Sequence, residues 1–230
     1  MRITGESLST QFSSALRSRL LRQNVIVFSG GLVAGIGGFI YHAVAGRILG
    51  PVAYGHLASL IAFYAAGSSL AIVLSVVLAR HTARLAASGA VGAIRPLVSR
   101  VIGLVAIPGI VVVWGAVAVQ RPVAAFEHLT STLPVVLVGL LLAVAWQTAI
   151  PRGVLQGLQR FTSLSLNLSI ELIARTGLAY GLLIAGYAVS GAIAAVLAGL
   201  LFAFGLGLFS LRHYVAVGGG RPRLARMGAF

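Results

Sequence analysis

The sequence predicts an all-α, polytopic integral membrane protein with six transmembrane helices. Hydrophobic residues make up 59% of the 230 residues and charged residues only 9%, and the mean hydropathy is +1.02. A soluble domain of this composition would expose too much apolar surface to stay monomeric. The apolar residues also form six long runs, and about 18 such residues are enough to cross roughly 30 Å of hydrocarbon.

The arginines predict how these helices are oriented. The predicted spans cover residues 25–45, 54–79, 101–119, 133–150, 164–186 and 189–211. Fourteen of the seventeen arginines lie before the first span, in alternate loops or after the last span, and only Arg47 and Arg121 lie in the remaining loops. Because arginine-rich loops stay on the cytoplasmic side, we predict a multi-pass protein of the cytoplasmic (inner) membrane with both termini in the cytoplasm.

The chain divides into three predicted parts. Residues 1–22 form a basic segment in which Phe12, Leu16 and Leu20 recur every fourth residue. This spacing is typical of an amphipathic helix on the membrane surface, although a disordered basic tail has the same composition. Residues 23–211 form the six-helix lobe, and residues 212–230 form a basic cytoplasmic tail. The first apolar run is too long for a cleaved signal peptide, and five further spans follow it.

The net charge of +14 indicates anionic lipids as partners and excludes a nucleic-acid partner. The arginines are dispersed over short loops beside helix ends, next to lipid headgroups, whereas nucleic-acid binding concentrates charge on one face. The chain has no cysteine, three acidic residues and five histidines without metal-ligand spacing. We therefore predict no enzymatic activity, no catalytic residues, no metal and no cofactor.

Glycine and proline indicate where helices pack and end. Gly31 with Gly35, and Gly177 with Gly181, have the small-xxx-small spacing that lets two membrane helices approach closely. The Gly50-Pro51 step in the first external loop predicts a helix break, since proline lacks the amide hydrogen that continues a helix.

The fifth span contains the charges predicted to lie within the membrane. Glu171 and Arg175 are four residues apart, so they share a helix face and can pair. An arginine at mid-membrane costs on the order of 3 kcal/mol, so this helix is expected to face the bundle interior or a watery cavity. Two interpretations stay open: a cationic point on a substrate path, or a structural ion pair. His42, near the outer end of the first span, likewise fits a substrate contact or an interhelical hydrogen bond.

Three strings resemble one known family. Gly46-Arg47-Ile48-Leu49-Gly50-Pro51-Val52-Ala53-Tyr54-Gly55, after a glycine-rich helix, resembles the polysaccharide-biosynthesis flippases of the multidrug/oligosaccharidyl-lipid/polysaccharide exporter superfamily. The string Arg152-Gly153-Val154-Leu155-Gln156-Gly157-Leu158-Gln159-Arg160-Phe161 is similar to that family's connection between helices four and five. Residues 186–192, ending Val189-Ser190-Gly191-Ala192, are similar to its turn into helix six.

This resemblance implies one lobe of a two-lobe transporter, because family members have about twice as many helices. The second six-helix lobe would be another copy of the chain, as in a homodimer, or a C-terminal half that this sequence lacks. The implied activity moves a lipid-linked oligosaccharide from the inner to the outer leaflet by alternating access. Because the headgroup carries a pyrophosphate and sugars, the candidate substrate-binding residues are Arg175, Glu171, Arg47 and His42.

Two other functions stay open from the sequence. A drug or cation exporter of the same superfamily would need membrane-embedded acidic residues to bind the coupling cation, and Glu171 has an arginine neighbour. A non-transporting membrane scaffold would need no cavity, and its fifth span would be sealed at the centre of the bundle.

Overall fold

The computed structural model describes the backbone of residues 5–216 and the side chains of Leu32 and residues 35–212. This part of the chain is helical throughout, with short turns and one 3₁₀ turn at Val91–Ala93. Residues 1–4 and most of the predicted tail 212–230 lie outside it. The helices are α1 (Gly5–Ala87), α2 (Ile94–Phe126), α3 (Leu133–Gly157), α4 (Phe161–Ile184) and α5 (Ala188–Ala216).

Helix α1 contains a break at Gly50 that divides it into a first limb, residues 5–49, and a second limb, residues 51–87. Gly50 has φ 73° and ψ 175°, a combination that is essentially restricted to glycine because a Cβ atom would clash. The Tyr54 hydroxyl lies 3.2 Å from His42 Nδ1, although twelve residues of straight helix would span about 18 Å. The second limb therefore folds back on the first, at the Gly-Pro step that predicted a break.

Each predicted span matches a helical segment, but the segmentation differs from the prediction of six separate helices. The first two spans are limbs of one broken helix, so the described chain forms five α-helices. The basic segment is helical from Gly5 and is continuous with the rest of the first limb. Helix α3 continues through Pro151 to Gly157, beyond the predicted end of its span at residue 150.

Helices α3 and α5 form the centre of the bundle. Helix α3 packs against α1, α2 and α5, and α5 packs against α4, α3 and α1. Buried apolar side chains form two clusters, one around Leu57, Leu141 and Ile193 and one around Ile94, Val154 and Leu211. The bundle thus has apolar cores toward both of its ends.

Glycines bring α3 against the second limb. A Cβ atom on Gly153 would lie 2.6 Å from the Ser75 carbonyl oxygen, and one on Gly157 would lie 2.5 Å from the Ala79 carbonyl oxygen. This pair has the small-xxx-small spacing, and only glycine permits such close backbone contact. The glycine pairs predicted from the sequence are not at this contact. Among the described residues, no heavy atom of a neighbouring element lies within 4 Å of the Cβ positions of Gly35, Gly177 and Gly181. The side-chain environment of Gly31 is not described.

The outer surface of the bundle is apolar. Phe39, Trp114 and Phe202 are each more than 60% exposed, which suits contact with lipid. Four helical segments in the described chain are long and apolar enough to cross a membrane: Gly35–Ala87, Val91–Phe126, Leu133–Gly157 and Ala188–Arg212. Helix α4 is not among them, because it carries Asn167, Glu171 and Arg175. An all-helical fold with an apolar surface suits a membrane-embedded protein.

Candidate functional site

Glu171 on α4 forms an ion pair with Arg152 on α3. The sequence suggested Arg175 as its partner, because spacing within one helix indicates only the neighbours on that helix. Arg152 was placed in a cytoplasmic loop, but α3 continues past Pro151 and carries this arginine into the bundle. Both side chains are largely buried: that of Arg152 is 19% exposed and that of Glu171 is 13% exposed. The ion pair therefore joins two helices instead of two turns of one helix.

Asn167 extends this ion pair to a third helix. Its side chain is fully buried, and its Oδ1 accepts a hydrogen bond from Arg152 Nε at 2.9 Å. Its Nδ2 donates to the carbonyl oxygen of Ala203 on α5 at 2.6 Å. Along α5, Ala203 lies between Leu200 of one apolar cluster and Leu211 of the other. We call Arg152, Asn167 and Glu171 the polar network; it lies inside the bundle and connects α3, α4 and α5.

Arg175 lies one turn along α4 from Glu171 and contacts an aromatic ring. Its guanidinium carbon is 5.3 Å from the centroid of the Tyr41 ring, within the range of a cation–π interaction. Its Nε is buried and has no hydrogen-bond partner among the residues that the structure describes. The Tyr41 hydroxyl donates to the Ala192 carbonyl oxygen at 3.1 Å, which fixes the ring beneath the arginine. Arg175 is thus an interior cation whose hydrogen-bonding capacity is not fully used.

Gly199 allows the backbone of α5 to lie close to α4 beside Glu171 and Arg175. A Cβ atom there would lie 3.0 Å from both the Glu171 carbonyl oxygen and Arg175 Cβ. Any larger residue would push α5 away from α4 between the two charged side chains.

His42 and Arg47 have different environments. The His42 ring packs edge-on against Tyr41 with centroids 5.2 Å apart, and its Nδ1 shares a hydrogen bond with Tyr54. This geometry corresponds to the hydrogen-bond interpretation of His42 and places it beside the residue that contacts Arg175. Arg47 lies three residues before the break and is exposed. Of the four candidates, Arg175 and His42 both contact Tyr41, Glu171 pairs with Arg152, and Arg47 is exposed.

A polar cleft of about 390 Å³ opens between the second limb, α3 and α5. Arg152 is one of its lining residues, so the polar network forms part of its wall. Beside the cleft, Trp146 Nε1 donates to the Gly67 carbonyl oxygen at 3.0 Å and holds α3 against the second limb. The polar residues that line the cleft are Tyr64, Ser68, Ser75, Arg152 and Gln156. The other lining residues are alanine, isoleucine, valine and leucine.

The charges around this cleft favour an anion. Arg152 lines the cleft and pairs with the Glu171 carboxylate; Arg175 on α4, over the Tyr41 ring, adds a second guanidinium group, so the three groups carry an excess of one positive charge. Within the described chain, no group of three histidine, cysteine, aspartate or glutamate residues is placed to hold a metal ion. The arrangement can bind a negatively charged, hydrogen-bonding group such as a phosphate.

Sequence analysis missed Arg152, Tyr41 and the ring–cation contact, although one feature pointed to Arg152. Arg152 lies five residues before the end of α3 and Asn167 six residues after the start of α4, and residues in such nearly symmetric positions of a helical hairpin can meet. No family model, curated protein or solved structure matches the chain.

Proposed function

We propose that this chain is one lobe of a membrane transporter that moves a lipid-linked oligosaccharide or polysaccharide precursor across the cytoplasmic membrane. The observation that carries the proposal is the polar cleft with Arg152 in its wall, in a bundle whose outer surface is apolar. Polar and ionisable groups at membrane depth are costly, and they are retained mostly along substrate or ion pathways.

In this proposal the chain crosses the membrane six times, with both termini in the cytoplasm. The apolar segment Gly35–Ala87 has 53 residues and would be about 80 Å long if straight, far more than the roughly 30 Å of hydrocarbon. The break at Gly50 supports two crossings, one for each limb. Helix α4 supplies a further crossing whose polar residues are shielded by its neighbours.

The polar cleft supports a second lobe as partner. The cleft is open on one side, so in an isolated lobe Ser68, Gln156 and Arg152 would face hydrocarbon, where the hydrogen-bonding capacity that they do not use within the lobe would stay unsatisfied. A second six-helix lobe, from another copy or a C-terminal half, would cover the cleft and enclose a central cavity. By the arginine pattern, this cleft lies in the cytoplasmic half of the membrane, where lipid-linked precursors would enter.

The excess positive charge favours this substrate over the cation of an exporter. A pyrophosphate headgroup can form charge-assisted hydrogen bonds with the guanidinium group of Arg152, which lines the cleft, and Arg175 adds a second positive charge on α4. The carboxylate that a cation-coupled exporter would need is that of Glu171, and it is already paired with Arg152.

The test is lipid flipping in vesicles reconstituted with the full chain. The probe is a fluorescent polyprenyl-pyrophosphate oligosaccharide whose outer-leaflet label is quenched by added dithionite. We expect Arg152→Met and Arg175→Met each to slow flipping about tenfold or more, as the loss of a hydrogen bond to a charged group implies. Arg121→Met, at an exposed position, is the matched control and should flip at the unmodified rate. Flipping at the unmodified rate in both interior variants would refute the proposal.

A further inference from the structure

Glu171 pairs with one arginine, and a second arginine lies one helical turn away on the same helix. Its carboxylate pairs with Arg152 on α3, whereas Arg175 is four residues along the same helix and shares its face. The Arg175 Nε is buried, and no group in the described part of the chain forms a hydrogen bond with it. Rotation of the Glu171 side chain could therefore exchange one arginine for the other without any movement of the backbone of α4.

Arg152 is the arginine that faces the polar cleft. Its Nε is held by Asn167 at 2.9 Å, so its position does not depend on Glu171 alone. The Nη2 edge that bonds to Glu171 belongs to the same planar group that lines the cleft. A phosphate entering the cleft would compete with the Glu171 carboxylate, because both bind guanidinium through oxygen atoms at similar distances.

We propose that Arg152 binds a phosphate group in the polar cleft in place of Glu171, and that the displaced Glu171 carboxylate then pairs with Arg175. The identification of this phosphate as part of a lipid headgroup rests on the proposed function. Glu171 is then a displaceable carboxylate and not a substrate ligand, and Arg175 is a positioning residue that accepts it.

The charges explain why an anion would drive this exchange. In the present arrangement Arg152 is paired and Arg175 has the Tyr41 ring as its partner. After the exchange, the phosphate neutralises Arg152 and the carboxylate neutralises Arg175, so both interior cations have an anionic partner. A neutral or cationic ligand cannot produce this arrangement, since Glu171 would gain nothing by leaving Arg152.

The experiment measures the affinity for inorganic pyrophosphate by calorimetry, with the full chain in nanodiscs of zwitterionic lipid. We expect Glu171→Gln to bind pyrophosphate about tenfold more tightly, because an amide competes poorly for guanidinium. A misfolded protein would not gain affinity, so this result is specific. Arg175→Gln should bind more weakly, since the displaced carboxylate loses its partner, and Arg152→Gln should lose binding. Arg100→Gln, an exposed arginine on α2, is the control and should bind like the unmodified protein.

Equal or weaker binding by Glu171→Gln would overturn the proposal, and so would unchanged binding by Arg152→Gln. If Arg152→Gln fails to fold, Arg152→Lys keeps the charge without the planar fork and should bind with intermediate affinity. Affinity for Arg152→Lys equal to that of the unmodified protein would also count against the assignment.

A second probe identifies the source of the phosphate. Farnesyl pyrophosphate should bind at least tenfold more tightly than inorganic pyrophosphate if the cleft accepts a lipid headgroup, because Ile72 and Val76 line the cleft beside Arg152 and can contact the chain. Equal affinities would assign the site to a free anion, and would contradict the proposed function while supporting the exchange. Conversely, lipid flipping with unchanged affinity in Glu171→Gln would support the function and overturn the exchange.

Discussion

At the scale of single residues, the ion pair between Arg152 and Glu171 joins α3 to α4 and forms because α3 continues beyond Pro151. The polarity of α4 follows from its composition, and an arginine in an apolar run is visible without a structure. The partner of Glu171 was not visible, because it depends on how far α3 continues beyond Pro151. Pro151 is buried and packs against Gly207, so α5 holds α3 helical at this point and the helix does not end at the proline.

Asn167 offers a residue-scale prediction. We expect Asn167→Leu to lower the free energy of unfolding by about 2 kcal/mol, since Arg152 Nε would lose its acceptor and a buried group would be left unsatisfied. The measurement is thermal unfolding in detergent or nanodiscs. Because leucine has the same number and branching of side-chain heavy atoms, the variant leaves no cavity, and the loss would report mainly on the hydrogen bonds.

Ser69→Ala is the matched control. The Ser69 hydroxyl donates to the Ala66 carbonyl oxygen within its own helix and is exposed, so its removal should leave the melting temperature unchanged. A melting temperature for Asn167→Leu equal to that of Ser69→Ala would contradict a stabilising role for the polar network.

At the scale of helices, the sequence predicted where they lie but not which glycines bring them together. Small-xxx-small spacing occurs by chance in a chain with 29 glycines, and the spacing alone does not show which face meets another helix. Gly153 and Gly157 contact the second limb, whereas Gly177 and Gly181 have no neighbour at the Cβ position. The Gly50-Pro51 break was predictable because it depends on local backbone chemistry alone.

Gly157 gives the prediction for helix packing. A Cβ atom there would lie 2.5 Å from the Ala79 carbonyl oxygen and 2.7 Å from Thr82 Cβ, so Gly157→Ala must push α3 away from the second limb. We expect a loss of about 2 kcal/mol in unfolding free energy, typical of overpacking at a rigid contact. Thermal unfolding of the purified protein measures this loss.

Gly177→Ala is the corresponding control on α4. No heavy atom lies within 4 Å of its Cβ position, and alanine is the better helix former, so stability should be unchanged or slightly higher. If Gly177→Ala destabilises the protein as much as Gly157→Ala, then the contact between α3 and the second limb is not what Gly157 serves.

At the scale of the whole molecule, composition predicted an all-helical protein of the membrane type, and the helical fold with its apolar surface agrees. The polar cleft was not predictable, since its lining comes from three helices that are distant in sequence: Tyr64 on the second limb, Arg152 on α3 and Leu200 on α5. Hydropathy records the average polarity of each helix and not the direction in which its few polar residues point. The flippase resemblance therefore stays a prediction that the polar cleft supports.

The account depends most directly on water in the polar cleft, because an anionic headgroup can enter only a hydrated cleft. The chain contains no cysteine, so a single introduced thiol reports on its own surroundings. Ser68 lines the cleft near the middle of the predicted span 54–79. Leu70 is two residues away at nearly the same depth and is 62% exposed on the bundle surface, where we expect lipid.

The decisive measurement is the reaction of Ser68→Cys and Leu70→Cys with a membrane-impermeant thiol reagent in native membranes. We expect Ser68→Cys to be modified and to be protected by pyrophosphate, while Leu70→Cys remains unmodified in hydrocarbon. If Ser68→Cys is as unreactive as Leu70→Cys, the cleft holds no water and the transport proposal is contradicted.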